Sequence, residues 1–167
     1  MSLTLAAVGA VVAALFEVTV VPYLEIGGAH PHLVFVLGVV WTVVGGLDGG
    51  LTWAFFGGLA LDVLAPDRAL GSSAFALLLS VGGAAVISRL LTRGRFIVPV
   101  IAVFTLSFAY STLLLLLHGA LRGPVPLADP GQTFLPGAVY DAVLAGVIGP
   151  LAIGIHDRFT EEERALW

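Results

Sequence analysis

Long apolar runs alternate with short polar gaps along the whole chain. The runs cover residues 3–21, 33–65, 71–91, 96–118 and 134–155. A bilayer core about 30 Å thick is crossed by roughly 20 apolar residues in a helix, so four of the runs each have the length of one span. The second run is too long for one span. At its middle lies Gly45-Gly46-Leu47-Asp48-Gly49-Gly50, a strong turn signal. The pattern predicts two rather short helices there, 32–46 and 50–65, in a tight hairpin. A re-entrant hairpin is the alternative reading. Pro22 stops the first run, residues 66–68 form a loop, and 122–133 form a Pro/Gly-rich loop. Ser72-Ser73 after Gly71 is expected to cap the next helix. Thr160-x-x-Glu163 in the polar tail has the form of a capping box. The expected fold is all-α: a polytopic membrane protein forming a compact bundle of six transmembrane helices, or five plus a re-entrant hairpin. Residues 1–167 make one domain, with a short cytoplasmic tail at 156–167.

Composition sharpens this picture. Only 11% of the 167 residues are charged, whereas a soluble domain carries about a quarter. Mean hydropathy is +1.06. There is no Cys, which excludes disulfides and thiolate chemistry. A net charge of −4 does not suggest nucleic-acid binding. The first run has no basic residue before it and reads as an uncleaved first span. All seven basic residues are Arg. In a six-span arrangement Arg89, Arg93, Arg95, Arg158 and Arg164 share one side, and only Arg68 and Arg122 lie on the other. The positive-inside rule then places both termini in the cytoplasm, with the 89–95 loop inside and the 122–133 loop outside.

Three carboxylates interrupt the apolar runs: Glu17, Asp62 and Asp141. Each continues a stripe of small residues at helical spacing: Ala6, Ala10, Ala14, then Glu17; Ala54, Gly58, then Asp62; Asp141, then Ala145 and Gly149. Small faces are where membrane helices approach closely, so all three acids are expected inside the bundle. Each is four or five residues from a proline, Pro22, Pro66 or Pro136, which sets them at one depth below the outer helix ends. His118 and Tyr140 are at a similar level. The five form a candidate polar, outward-facing intramembrane binding cluster. Within the spans no Arg lies at that depth. An intramembrane ionisable group points to function, and hydrogen-bonded glue between helices is the competing reading. His30-Pro31-His32 is extended, lacks a third ligand, and reads as the loop that leads into a helix. No metal site, cofactor motif or catalytic constellation is found, so no enzyme is expected. Gly82-Gly83 is a candidate face for packing against a partner helix.

Four segments resemble the MreD family, the small multi-pass rod shape-determining membrane proteins of bacteria. Leu15-Phe16-Glu17-Val18-Thr19-Val20-Val21-Pro22 is similar to that family's Leu-x-Gln-Ser-Thr-Leu-x-Pro segment. Pro31-His32-Leu33 stands where the family tends to have Pro-Asp-Leu. Gly57-Gly58-Leu59-Ala60-Leu61-Asp62-Val63-Leu64, followed by Ala69-Leu70-Gly71, is similar to Gly-Leu-x-x-Asp and Pro-Leu-Gly. Leu135-Pro136-Gly137-Ala138-Val139-Tyr140-Asp141-Ala142 is similar to Pro-x-x-x-x-Asn-Ala. Glu17, His32 and Asp141 depart from the family's Gln, acid and Asn; Asp62 matches. The resemblance implies a non-enzymatic part of the cell-elongation machinery in the cytoplasmic (inner) membrane, coupling MreB filaments to peptidoglycan synthesis. Its implied direct partner is MreC, a single-span protein, with the RodA–PBP2 synthase and MreB more distant. A substrate-capture subunit of an energy-coupling-factor vitamin transporter is the second expectation, because those are also small six-span bundles.

Overall fold

A computed structural model describes residues 3–25, 29–65, 68–91, 96–123 and 130–165. Arg93 and Arg95 lie outside these residues. Helices α1 (Leu3–Thr19), α2 (Leu33–Gly45), α3 (Leu47–Leu64), α4 (Ser72–Leu90), α5 (Val98–Arg122) and α6 (Pro130–Ala165) follow one another, with a one-turn 3-10 helix at Val21–Leu24. Among the described residues there is no β-strand. Helices α3 to α6 are long and apolar enough to cross a membrane, whereas α1 and α2 are shorter apolar helices.

The bundle is built with its large apolar side chains facing out. Leu5, Val8, Phe16, Phe55, Phe75, Val86, Val143 and Leu151 are exposed. The interior instead holds many small residues, among them Ala10, Ala14, Ala54, Ala76, Ala84, Ala102 and Ala145, together with Glu17, Asp62, Asp141, Ser73, Ser80 and Ser107. That distribution suits a lipid surround, where helices associate by close packing and polar bonds rather than by escape from water. Every residue of the three small-residue stripes is buried, including the acids at their ends.

Helix α2 occupies the centre. It has 13 residues, about 20 Å of helix and well short of a bilayer core. It packs against each of the other five helices. Its sequence is apolar on all sides, the mark of an enclosed helix, and Val34, Phe35, Val36, Val39 and Val40 are fully buried. The predicted hairpin is present and tighter than expected. A single residue, Gly46, joins α2 to α3. Its φ of 98° is left-handed backbone that glycine adopts without a Cβ penalty, and its N–H donates to the Thr42 carbonyl at 3.1 Å.

Two predicted ends are corrected. Helix α6 starts at Pro130, earlier than the apolar run, and stays helical through Thr160 and Glu163 to Ala165. The Thr160–Glu163 capping box therefore opens no new helix. Pro136 and Pro150 lie inside α6, so each withholds one backbone bond without ending it. At one end of the bundle Leu3, Trp41, Gly45, Asp48 and His156 line a common pocket. The start of α1, the α2–α3 turn and the late part of α6 thus share an end, as alternating helices require. Glu17, Asp62 and His118 belong to the opposite end.

Candidate functional site

Each of the three buried acids does the same job: it accepts backbone N–H groups from the start of another helix. A helix start leaves its first amides without partners inside the helix, and a carboxylate there satisfies them and opposes the helix dipole. Glu17 of α1 accepts from the Val34 amide of α2 at 2.7 Å. Asp141 of α6 accepts from the His32 amide at 2.8 Å. Asp62 of α3 accepts from the Gly71 amide at 2.8 Å and the Ser73 amide at 2.9 Å. The Ser72 hydroxyl also reaches Asp62, at 3.3 Å. The cap of α4 is therefore supplied by α3, not by Ser72-Ser73 as predicted. Gly71, with φ at 89°, turns the chain so that the amides on either side of Ser72 face one carboxylate.

The His32 side chain completes the Asp141 site. Its Nδ1 lies 3.0 Å from Asp141 Oδ2, and the Ser107 hydroxyl of α5 donates to the same oxygen at 2.7 Å. Asp141 thus ties α2, α5 and α6 together. Sequence reasoning placed His32 in a loop with no chemical part to play. It does begin the helix, but its ring turns inward onto an acid 109 positions away. A readable signal existed on α5: Ser107, Tyr110 and Ser111 share one face at spacings of three and four in an otherwise apolar span.

Val34 is held from both sides. Its amide goes to Glu17 and its carbonyl accepts from Trp53 Nε1 of α3 at 3.0 Å. The Trp53 ring lies where a Cβ on Gly9 or on Gly38 would approach to 3.0 Å. Two glycines on two helices thereby make its slot. Glu17→Gln keeps an acceptor for Val34 and is expected to cost under about 1 kcal/mol. Glu17→Leu strands a buried amide and is expected to cost about 1–3 kcal/mol. Thermal unfolding in detergent measures the difference, and equal losses would contradict the capping role.

The predicted single cluster is divided. Glu17 and Asp141 meet at the start of α2 and lie within electrostatic reach of each other. Asp62 serves α4. Tyr140 is elsewhere: its hydroxyl donates to the Leu24 carbonyl at 3.1 Å. The expectation of one cavity lined by all three acids is corrected, because helix amides take up the carboxylates. Arg68, from the α3–α4 loop, folds its long side chain inward and donates to Ser73 Oγ at 2.9 Å.

What does open outward at this end is a cavity of about 370 Å³ between α2, α4, α5 and α6. Its polar lining is His30, His32, Arg68, Ser72, Ser111 and His118. Of the predicted cluster only His118 lines it. The rings of His30 and His32 are 5.5 Å apart. Partial burial, and then the neighbouring His32, hold the His30 pKa below the ordinary imidazole range. Behind this wall Tyr110 is fully buried, stacked on Phe35 at 4.9 Å and edge-on to His32 at 5.4 Å. Its hydroxyl lies close to the Arg68 side chain. Among the described residues no group of three or more His, Asp or Glu is placed to hold a metal ion.

Of the predicted partner-packing pair, Gly83 faces α5, where a Cβ would meet Leu106 Cδ2 at 2.8 Å, while Gly82 has open space. Arg89 is exposed at the end of α4.

Among the described residues, fold and site together make an all-helical bundle with four helices long and apolar enough to cross a membrane, with buried acids that secure its helix starts and a pocket at one end lined by imidazoles and a guanidinium. No family model matches the chain, and neither a curated protein nor a solved structure matches it.

Proposed function

We propose that the chain is an MreD-type component of the bacterial cell-elongation machinery: non-enzymatic, spanning the cytoplasmic membrane six times with both termini inside, and binding the single helix of an MreC-like protein. One observation supports this reading above the others. Each of the four segments that resemble the family takes part in a helix-start bond, within a segment, beside one or between two of them. Glu17 of the first segment holds Val34, next to Pro31-His32-Leu33 of the second. Asp62 and Gly71 of the third hold each other. Asp141 of the fourth holds His32 of the second. The acids that the resembling segments carry are among the residues that fasten the bundle, which is what a structural adaptor asks of its few polar groups.

Reporter fusions after Arg95 and after Asp129 test the topology; finding both on one side would refute it. Co-purification with an MreC-like protein tests the partner. Gly82→Val should leave the isolated bundle's melting temperature within about 2 °C, since the site is open and such surface changes stay within about 0.5 kcal/mol. The same change should lower MreC recovery several-fold if this face receives the partner helix.

The second reading, a substrate-capture subunit of a vitamin transporter, is supported by the outward cavity of about 370 Å³. Capture of an ATPase pair and its membrane coupling subunit, instead of an MreC-like protein, would favour it.

A further inference from the structure

The outer cavity has a chemistry that the helix-capping acids do not share. Its polar lining supplies hydrogen-bond donors: the Arg68 guanidinium, three imidazoles and two hydroxyls. No carboxylate lines it. Asp62 and Asp141 are near, but both oxygens of each are bonded within the protein; Glu17, with one oxygen on the Val34 amide, lines an adjoining cavity that shares His30 and Arg68. His32 Nδ1 faces Asp141 Oδ2, so Nε2 is the ring atom not committed to Asp141, and it donates to an anion when the ring is an imidazolium.

The other half of the lining is apolar, with Leu114, Leu115 and Phe134. From Ser111 to His118 is seven residues, so the cavity follows α5 for about 10 Å. One side is thus suited to an anionic group and the other to hydrocarbon. Arg68 is also the charge beside the fully buried Tyr110, behind the cavity wall. A cation is disfavoured: Arg68 repels it, and no metal-binding group is present among the described residues.

We propose that this cavity binds one phosphate-bearing molecule, its phosphate engaged by Arg68, His32 and His118 and any acyl chain laid along Leu114, Leu115 and Phe134. Phosphate suits several convergent donors and pairs well with a guanidinium. The source is either a membrane phospholipid or a free phosphate. This inference rests on neither functional reading above, since it concerns only what the cavity holds.

The test is the melting temperature of the delipidated full chain in uncharged detergent, with three additives: dioleoylphosphatidylglycerol, dioleoylglycerol and inorganic phosphate. The phospholipid should raise the midpoint by roughly 5 °C at a hundredfold excess over its Kd. Native mass spectrometry should show one bound copy. Dioleoylglycerol, which lacks the phosphate, should give no more than a small fraction of that shift. A comparable shift with inorganic phosphate alone assigns the site to free phosphate, and its absence assigns it to lipid. His118→Ala should reduce the shift at least threefold, and Ser111→Leu, which fills the cavity, should abolish it, each leaving the additive-free midpoint within a few degrees. If Ser111→Leu does not fold, Arg68→Gln replaces it, with the same loss expected. An equal shift with dioleoylglycerol, no shift with either phosphate compound, or a full shift retained in the variants would overturn the proposal.

Discussion

Asp62→Leu is expected to be the most damaging single change in the bundle. The leucine fills the space but accepts nothing, so the amides of Gly71 and Ser73 lose their shared acceptor inside the protein, while the Ser72 hydroxyl keeps the Ala69 carbonyl. Each stranded buried donor costs about 1–3 kcal/mol, and together roughly 3–5 kcal/mol. Arg68 would then face Ser73 without the carboxylate next to it. Asp62→Asn keeps one carbonyl oxygen and places an amide group against donors, for a smaller loss of about 1–2 kcal/mol. The check is thermal unfolding in detergent, where about 10 °C or more should separate Leu from wild type, with Asn in between. If Asn proved as harmful as Leu in an elongation assay while its melting temperature held, the acid would be serving a ligand or ion instead of a helix start.

Gly58→Val is the second. Helix α3 crosses the first turn of α4 at Gly58, and a Cβ built there falls on the backbone of Ala74. Backbone at a helix start cannot rotate away as a side chain can. The helices must separate, which also pulls Asp62, one turn along α3, from the amides it caps. Overpacking of this kind costs about 1–3 kcal/mol by itself, and the coupled loss of the cap takes it to the upper end. Loss of monodisperse protein on size-exclusion chromatography, or a fall of roughly 10 °C in melting temperature, is the expected result. A melting temperature unchanged by Gly58→Val would show that the α3–α4 crossing is looser than described. Gly82→Val on the open face of α4 is the matched control.

The helices and the inward faces were legible because both are local. Runs of apolar residues marked α3, α4 and α5 to within a few residues, and the four-residue step from Ala54 through Gly58 to Asp62 pointed inward. The role of α2 was hidden by its solvent. An apolar run reads the same whether lipid tails or other helices surround it, and only its 13-residue length hinted that it sits at the centre. The acids' partners were hidden for a different reason. A cap from the same helix leaves a local signature, as Ser72-Ser73 seemed to; a cap from another helix is a contact between distant positions. Asp141 and His32 are 109 residues apart, and nothing near either one names the other. The cavity that His118 lines depends on Arg68 and His30 from two loops, whose paths hydropathy does not describe.

The central place of α2 bears on how the chain is made. This helix is made well before α6, so the His32 amide at its start waits for Asp141, which is synthesised 109 residues later. At 5–20 residues per second that interval is about 5–20 seconds. Through it, a hairpin whose first arm is only 13 residues long has part of its starting turn already held by Glu17 and the rest open. The insertion machinery, or the lipid interface, must shelter that end until α6 arrives. A ribosome stalled before residue 141 would therefore leave a nascent chain with its innermost helix unsecured, a natural substrate for membrane quality-control proteolysis.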